Sequence, residues 1–304
     1  MSTLPDRPAL SVVVAAVDGP GALRRLLADL VAQRGAPTPE VIVVDATGAT
    51  TADHLAGAFP SGARLLAAVG ADVSVLRGIG ARAARGELVA VTEDHCRLPA
   101  NWCAMLLRTR AAGHRAFGGA IENGSFRSPP DWAAYLVEFS GFMPPLPVGP
   151  SASLPGMNAA YERALLGDLP DGTLCEPIAN RHLRERGVDL HLEPALIVTF
   201  ERRFGVGAFA RHCFASGRTF ASLRMARTSA VLRGAYALAA GTALPPILVA
   251  RIGARVLMRR RARLAFLLAV PWLGVYTMAW GLGEAVGALS VRRTLPRVGR
   301  GVPA

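Results

Sequence analysis

Apolar residues in the first two thirds of the chain alternate between short continuous runs and stretches with a period near 3.6 residues. Ser11-Val12-Val13-Val14-Ala15-Ala16 is a near-continuous apolar run, the pattern of a strand covered on both faces. After the turn at Asp18-Gly19-Pro20-Gly21, Leu23, Leu26, Leu27, Leu30 and Val31 recur at i, i+3, i+4, i+7 and i+8. Arg24, Arg25 and Asp29 lie opposite, so this is an amphipathic helix. Residues 40–45 read as a second strand ending in the carboxylate of Asp45, which completes a βαβ unit with right-handed parallel pairing expected. The small, polar loop 47–53 suits close approach by a ligand. Residues 64–68 read as a third strand and 75–85 as a helix. That helix keeps Gly78 and Gly80 at a cost of ~1 kcal/mol each, which points to close approach of a ligand or another backbone.

The run Leu88-Val89-Ala90-Val91-Thr92 ends abruptly in Glu93-Asp94-His95, and Pro99 then opens a helix from Ala100: strand, charged tip, helix. In an open α/β sheet, ligands bind outside the carboxyl ends of strands, which places these three side chains where a substrate can meet them. Carboxylate and imidazole ligands can hold a divalent cation, which in turn neutralises a diphosphate. The plainer alternative is an acidic loop that caps the next helix. A strand over 116–121 and a helix over 131–139 come next. The proline-rich stretch 141–155 is expected to form a loop that borders a site or closes over it. Residues 156–163 are expected to lead into a helix, and a further helix begins at 175–183. Pro177 suits a first helical turn, so Glu176 falls at a helix N-terminus, where the dipole stabilises its ionised form. A capping glutamate without chemistry is the alternative there.

The C-terminal third changes character. Residues 234–250 carry no charge, and in 264–289 only Glu284 interrupts an apolar run. Both approach or exceed the ~20 residues needed to cross a bilayer. Between them lie Arg255, Arg259, Arg260, Arg261 and Arg263. If both segments spanned, this basic loop would oppose the positive-inside tendency, while Arg218, Arg224, Arg227 and Arg233 before it and Arg292, Arg293, Arg297 and Arg300 after it pull the other way. A re-entrant or interfacial hairpin with arginines on lipid phosphates removes the conflict, and Pro245-Pro246 would break the first helix to match. Two buried helices of a soluble domain are the alternative. Trp272, Tyr276 and Trp280 read as interface anchors or packing.

Composition sharpens this picture. The 304 residues are 51% hydrophobic and 18% charged, apolar for a soluble enzyme. Net charge is +12 with no lysine, which favours an anionic partner such as nucleotide phosphates or acidic lipid headgroups. No nucleic acid is expected, because the arginines are scattered or crowd the hydrophobic part and do not alternate with exposed aromatics. Cys96, Cys103, Cys175 and Cys213 have no disulfide-framework or metal spacing and read as free thiols.

In their order these pieces resemble glycosyltransferase family 2, enzymes of the GT-A fold, from about Leu10 to Arg224. Ser11–Asp18 matches the family's opening strand segment, with Ala15, Val17 and Asp18 where a proline, a tyrosine and an asparagine are usual. Val43-Val44-Asp45 looks like the strand whose aspartate contacts the donor's base. Arg77-Gly78-Ile79-Gly80 through Ala84-Arg85-Gly86 resembles the family's Arg-Asn-x-Gly…Ala-x-Gly segment, with Gly78 in place of asparagine. Glu93-Asp94-His95 occupies the place of the metal-binding Asp-x-Asp, Gly156-Met157-Asn158 resembles the acceptor-side Gly-x-Asn, and Glu176 aligns with the catalytic base. Residues 203–218 look like the segment leading to the membrane, with Phe200 and Glu201 where a histidine is often found.

The resemblance implies an α/β fold of GT-A type, Rossmann-like with a mostly parallel sheet, over residues 1–230. A hydrophobic helical hairpin would occupy 231–290 and a basic tail 291–304. It implies Glu176 as base, Asp18, Asp45, Arg77, Glu93 and Asp94 as donor-binding, Glu93, Asp94 and His95 on a Mn²⁺ or Mg²⁺ ion, and Gly156 and Asn158 on the acceptor side. The expected activity is inverting transfer from a nucleotide-sugar to a lipid-linked or glycan acceptor, in polysaccharide or glycolipid synthesis, at the cytoplasmic face of the cell membrane. The altered Glu93-Asp94-His95 keeps open a non-catalytic subunit that binds nucleotide-sugar or scaffolds a membrane polysaccharide complex. A nucleotidyltransferase is disfavoured, since no glycine-rich, lysine-bearing loop comes after the first strand.

Overall fold

A computed structural model describes residues 7–124, 128–167, 169, 172–226 and 228–290. The basic tail expected over 291–304, with its four arginines, and Arg227 lie outside the described residues. In chain order the elements begin β1 (Leu10–Ala16), α1 (Pro20–Val31), β2 (Glu40–Asp45), α2 (Ala52–Ala58), β3 (Ala63–Ala67), α3 (Val73–Ala83), β4 (Leu88–Glu93), β5 (Cys96–Arg97) and α4 (Trp102–Ala111). They continue with β6 (Ala116–Asn123), α5 (Pro129–Phe139), β7 (Gly149–Pro150), β8 (Ala159–Glu162), a 3₁₀ turn at Arg163–Leu165, α6 (Glu176–Glu185) and β9 (Leu190–Phe200). Four helices close the sequence: α7 (Val206–Arg224), α8 (Ala230–Thr242), α9 (Leu244–Met258) and α10 (Arg263–Leu289).

The strands form one nine-stranded sheet in the order β3-β2-β1-β4-β8-β6-β9-β5, with β7 on β9. β1 to β4 pair in parallel, β8 runs antiparallel between β4 and β6, and β6 and β9 are parallel. β1, at the centre of the parallel part, is buried along its whole length. Its continuous apolar sequence reflects that, since both faces are covered. α1 turns Leu23, Leu26, Leu27 and Leu30 inward, each worth about 1.5–3 kcal/mol on full burial. At the amino end of the sheet Glu40 gathers several elements: it accepts from Ser11 Oγ (2.6 Å), Arg85 N (2.8 Å) and Arg85 Nε (2.7 Å).

Three differences from the sequence reading have physical causes. Residues 159–162 form a strand and not the start of a helix, because Ala159–Tyr161 fill the space between β4 and β6 and complete both ladders. β9 escapes sequence periodicity because Glu193-Pro194 interrupt it at the point where its register on β6 shifts. α2 falls within and beyond the stretch read as a polar loop, and Thr51 and His54 cap it reciprocally.

β1 to β9 with α1 to α4 and α6 make one compact unit, and α5 with α7 to α10 make another. In the second unit the apolar stretch around 234–250 is divided at Ala243 into α8 and α9, which meet at a 54° bend just before Pro245-Pro246. α10, 27 residues, is long and apolar enough to cross a membrane. It packs closely on α7: a Cβ at Gly283 or Gly287 would overlap the Phe214 or Arg218 carbonyl oxygen, and one at Gly217 would overlap that of Trp280. This small-xxx-small contact lets two backbones touch. Glu284, only 3% exposed, is satisfied within the unit by the Tyr236 hydroxyl and by Trp280 Nε1 (2.6 Å).

Candidate active site

β1 and β4 lie side by side in parallel with Ala15 opposite Glu93, so the segments after the two strands emerge at one carboxyl edge. There Asp94 fixes the exit of β1. Its backbone N–H donates to Ala15 O (3.1 Å), and its Oδ2 accepts from the backbone N–H groups of Val17 (3.0 Å) and Asp18 (2.8 Å). The other oxygen, Oδ1, is buried without a hydrogen bond. His95 Nδ1 is likewise without one, although it lies 3.4 Å from both Asp94 Oδ1 and Asp18 Oδ2.

These three side chains bring their ligand atoms within 4.8 Å of one another. Two carboxylate oxygens and an imidazole nitrogen, two of the three left unbonded in the interior, fit a divalent cation of the Mn²⁺ or Mg²⁺ type. Burial would push the His95 imidazole below its ordinary value, but Asp18, Asp94 and Glu93 outweigh it and raise it well above 6.5. To ligate an ion the imidazole must give up that proton, so binding of the cation and loss of the proton are coupled.

Glu93, expected in the cation set, lies beside that cluster and is engaged by Arg77 and His95. Its Oε1 accepts from Arg77 Nη2, while Oε2 lies 3.2 Å from His95 Nε2. Burial alone would raise this carboxyl; Arg77 and His95 reverse that and hold it down at about 2. Arg77, on α3 and 6% exposed, uses its other arm on Glu176, Nη1 to Oε1 at 2.8 Å. α6 places Glu176 at its first residue, where the helix dipole favours the carboxylate. One guanidinium thus joins the strand tip to the residue aligned with the base. Gly156 makes room for the join, because a Cβ there would overlap both Glu176 Oε1 and Arg77 Nη1.

Asp45, at the end of β2, is 2% exposed and accepts from Thr47 N (3.2 Å), Thr47 Oγ1 (2.7 Å) and Thr50 N (3.4 Å). It shapes the loop beside β1, and these bonds outweigh burial to hold it below the ordinary carboxylate value. Asn158 is fully buried. Its Nδ2 donates to Ala120 O and Leu196 O, both at 2.9 Å, and its Oδ1 accepts from Trp102 Nε1 at 3.0 Å. It therefore closes the register shift between β6 and β9.

Two residues escaped the sequence reading. Arg202, just after β9, donates Nη2 to Asp18 Oδ1 (2.9 Å) and adds a partly exposed cation. Its signal is the same as at β4: the apolar run Leu196-Ile197-Val198-Thr199-Phe200 ends abruptly in Glu201-Arg202. Tyr161, on β8, puts a buried hydroxyl without a hydrogen bond within electrostatic reach of Glu176 and Arg77.

No family model matches the chain, and no curated protein matches it in sequence. Among solved structures it is similar to a mannosyltransferase, PcManGT of Pyrobaculum calidifontis, determined in complex with GDP-Man and Mn²⁺. The TM-score is 0.52 at 17% identity, over 92% of this chain and 88% of that one. At this identity the likeness is one of fold, and it is the GT-A α/β architecture with C-terminal apolar helices that the sequence resemblance implied.

Proposed function

We propose that this chain is an inverting glycosyltransferase of the family 2 type. It transfers a sugar from a nucleotide-sugar donor to a lipid-linked or glycan acceptor, at the cytoplasmic face of a membrane held by its C-terminal helices. The observation that carries the reading is the adjacency at one sheet edge of a cation-ready cluster, Asp18, Asp94 and His95, and a candidate base, Glu176, joined through Arg77 and Glu93. The similar mannosyltransferase, which binds GDP-Man with Mn²⁺, supports the donor class and the ion.

Asp18, Asp94 and His95 would hold a divalent ion, which when bound would supply positive charge for the departing diphosphate. Arg202 and Arg77 add cationic groups to the same edge. Asp45 and its loop border the donor's base or ribose. Glu176 accepts the proton of the acceptor hydroxyl as that oxygen attacks the anomeric carbon from the face opposite the diphosphate. Glu176 is paired with Arg77 before substrates arrive, so donor binding must draw the guanidinium toward the diphosphate for the carboxylate to serve as base. Gly156 leaves space for that exchange.

The deciding experiment measures nucleotide release by the full-length chain in detergent from UDP-, GDP- and dTDP-sugars, with Mn²⁺, Mg²⁺ or EDTA and membrane lipid extract. Release dependent on the metal, and reduced ~10²–10⁴-fold in Glu176→Gln, is expected. Saturable donor binding with no turnover under any of these conditions would replace the enzyme by a non-catalytic nucleotide-sugar-binding subunit.

A further inference from the structure

We propose that the cavity among α5, α7, α9 and α10 binds the phosphate headgroup of an anionic membrane lipid, with Arg251 as the recognising residue. The cavity measures about 460 Å³ and is walled by apolar groups, Phe220, Leu248 and Ile252 among them, together with Arg224, Arg251, Arg255 and Glu284. Its charges do not balance. Glu284, the one carboxylate, is already engaged by Tyr236 and Trp280. Arg224 donates to the Tyr236 hydroxyl at 2.7 Å and lies 3.9 Å from Glu284.

On α9 the arginines form a stripe four residues apart. Arg259 donates to the carbonyls of Ser140 (3.0 Å) and Gly141 (2.7 Å), and Arg255 donates to Ser140 Oγ (3.1 Å), so both attend the carboxyl end of α5. Arg251, one turn earlier, lines the cavity and has no hydrogen-bond or ion-pair partner among the described residues. Arg251 and Arg224 are exposed and Arg255 half-buried, so the three guanidiniums leave the mouth of the cavity positively charged beside one committed carboxylate, and phosphate accepts from planar arginine forks in the geometry they offer.

The apolar walls select a lipid over a free phosphate, since a small ion leaves them uncovered. The surroundings agree: among the described residues, every exposed large apolar side chain except Val31, Val69 and Val148 lies on α8, α9 or α10. The inference rests on membrane attachment of these helices and is independent of the sugar-transfer chemistry.

The test titrates the full-length chain in maltoside detergent with phosphatidylglycerol or phosphatidylcholine and counts retained lipid by native mass spectrometry. One phosphatidylglycerol per chain is expected, held in preference to phosphatidylcholine. Affinity should fall about fivefold in Arg251→Ala and about thirtyfold in Arg251→Glu, recover only in part in Arg251→Lys, which keeps the charge but not the planar fork, and stay unchanged in Arg24→Ala on α1. Equal retention by Arg251→Glu and the parent overturns the site, as does equal affinity for the two lipids. A thermal shift with inorganic phosphate as large as that with phosphatidylglycerol overturns the lipid assignment. A chain that stays in neutral vesicles yet shows no lipid preference loses this site while keeping its membrane attachment.

Discussion

A single methyl group separates the two ways a glycine serves this chain. In Gly156→Ala the new Cβ overlaps only the far ends of two long side chains, Glu176 Oε1 and Arg77 Nη1. Those ends can swing aside, so thermal stability should change little, while the proposed base, Glu176, and its partner arginine lose their register. Turnover of the donor is expected to drop by about 10²-fold, the scale of a 1 Å misplacement. In Gly78→Ala the Cβ meets backbone, overlapping the Gly172 carbonyl and lying 2.9 Å from Thr173 Cα, so overpacking of ~1–3 kcal/mol should appear as lost stability instead. Activity assays beside melting curves for the two variants decide the matter; a Gly156→Ala enzyme with parental turnover would remove the Arg77–Glu176 contact from the mechanism. At this scale the charged tip 93–95 was legible because an apolar run ends in carboxylates. Which carboxylate joins the candidate cation cluster and which pairs with an arginine was not, since that depends on Arg77, sixteen residues earlier and on another element. Asn158 shows the same limit: its place in the Gly-x-Asn pattern is visible in sequence, its three hydrogen bonds across β6, β9 and α4 are not.

Between elements the amino end of the sheet offers the sharpest test. Glu40, whose side chain is 5% exposed, ties β2 to Ser11 of β1 and to Arg85 after α3. Burial raises its carboxyl, but the Ser11 and Arg85 bonds more than compensate and leave it below the ordinary 4.5. A depressed carboxylate contributes stability that is present above its unfolded pKa and lost as pH falls through the folded one. Glu40→Gln should therefore cost about 1–3 kcal/mol at neutral pH, read from denaturant melts, and the gap to the parent should close as pH drops below about 4.5. A gap independent of pH would mean that the side chain acts by shape alone. The elements that sequence identified best, β1, β2 and β4, are those buried on both faces, where an apolar run admits few other readings. β8 and β9 were hidden because pairing made them strands: Ala159-Ala160-Tyr161 has no strong preference of its own, and β9 carries a proline and a glutamate where its register shifts.

For the molecule as a whole the question is what solvent the helical unit was built for. A 27-residue α10 is about 40 Å long, more than the ~30 Å of a bilayer's hydrocarbon core. Its glycines bring its backbone against that of α7, a contact that stabilises helices where no hydrophobic effect drives them together. Its only acid, Glu284, is hydrogen-bonded inside the unit, and the exposed apolar side chains gather on α8 to α10. Yet the chain also carries a net charge of +12, so two modes of membrane binding compete. Salt separates them, because at 1 M the Debye length shrinks to about 3 Å and attraction to acidic headgroups is screened, while insertion of apolar surface is strengthened or unchanged. The full-length chain reconstituted into phosphatidylcholine vesicles, which carry no net charge, is expected to float with them in a density gradient and to remain with them at 1 M NaCl. Release into the salt fraction would make the attachment electrostatic and α10 a packed helix of a peripheral protein. Retention would instead fit the proposal of a lipid-linked acceptor.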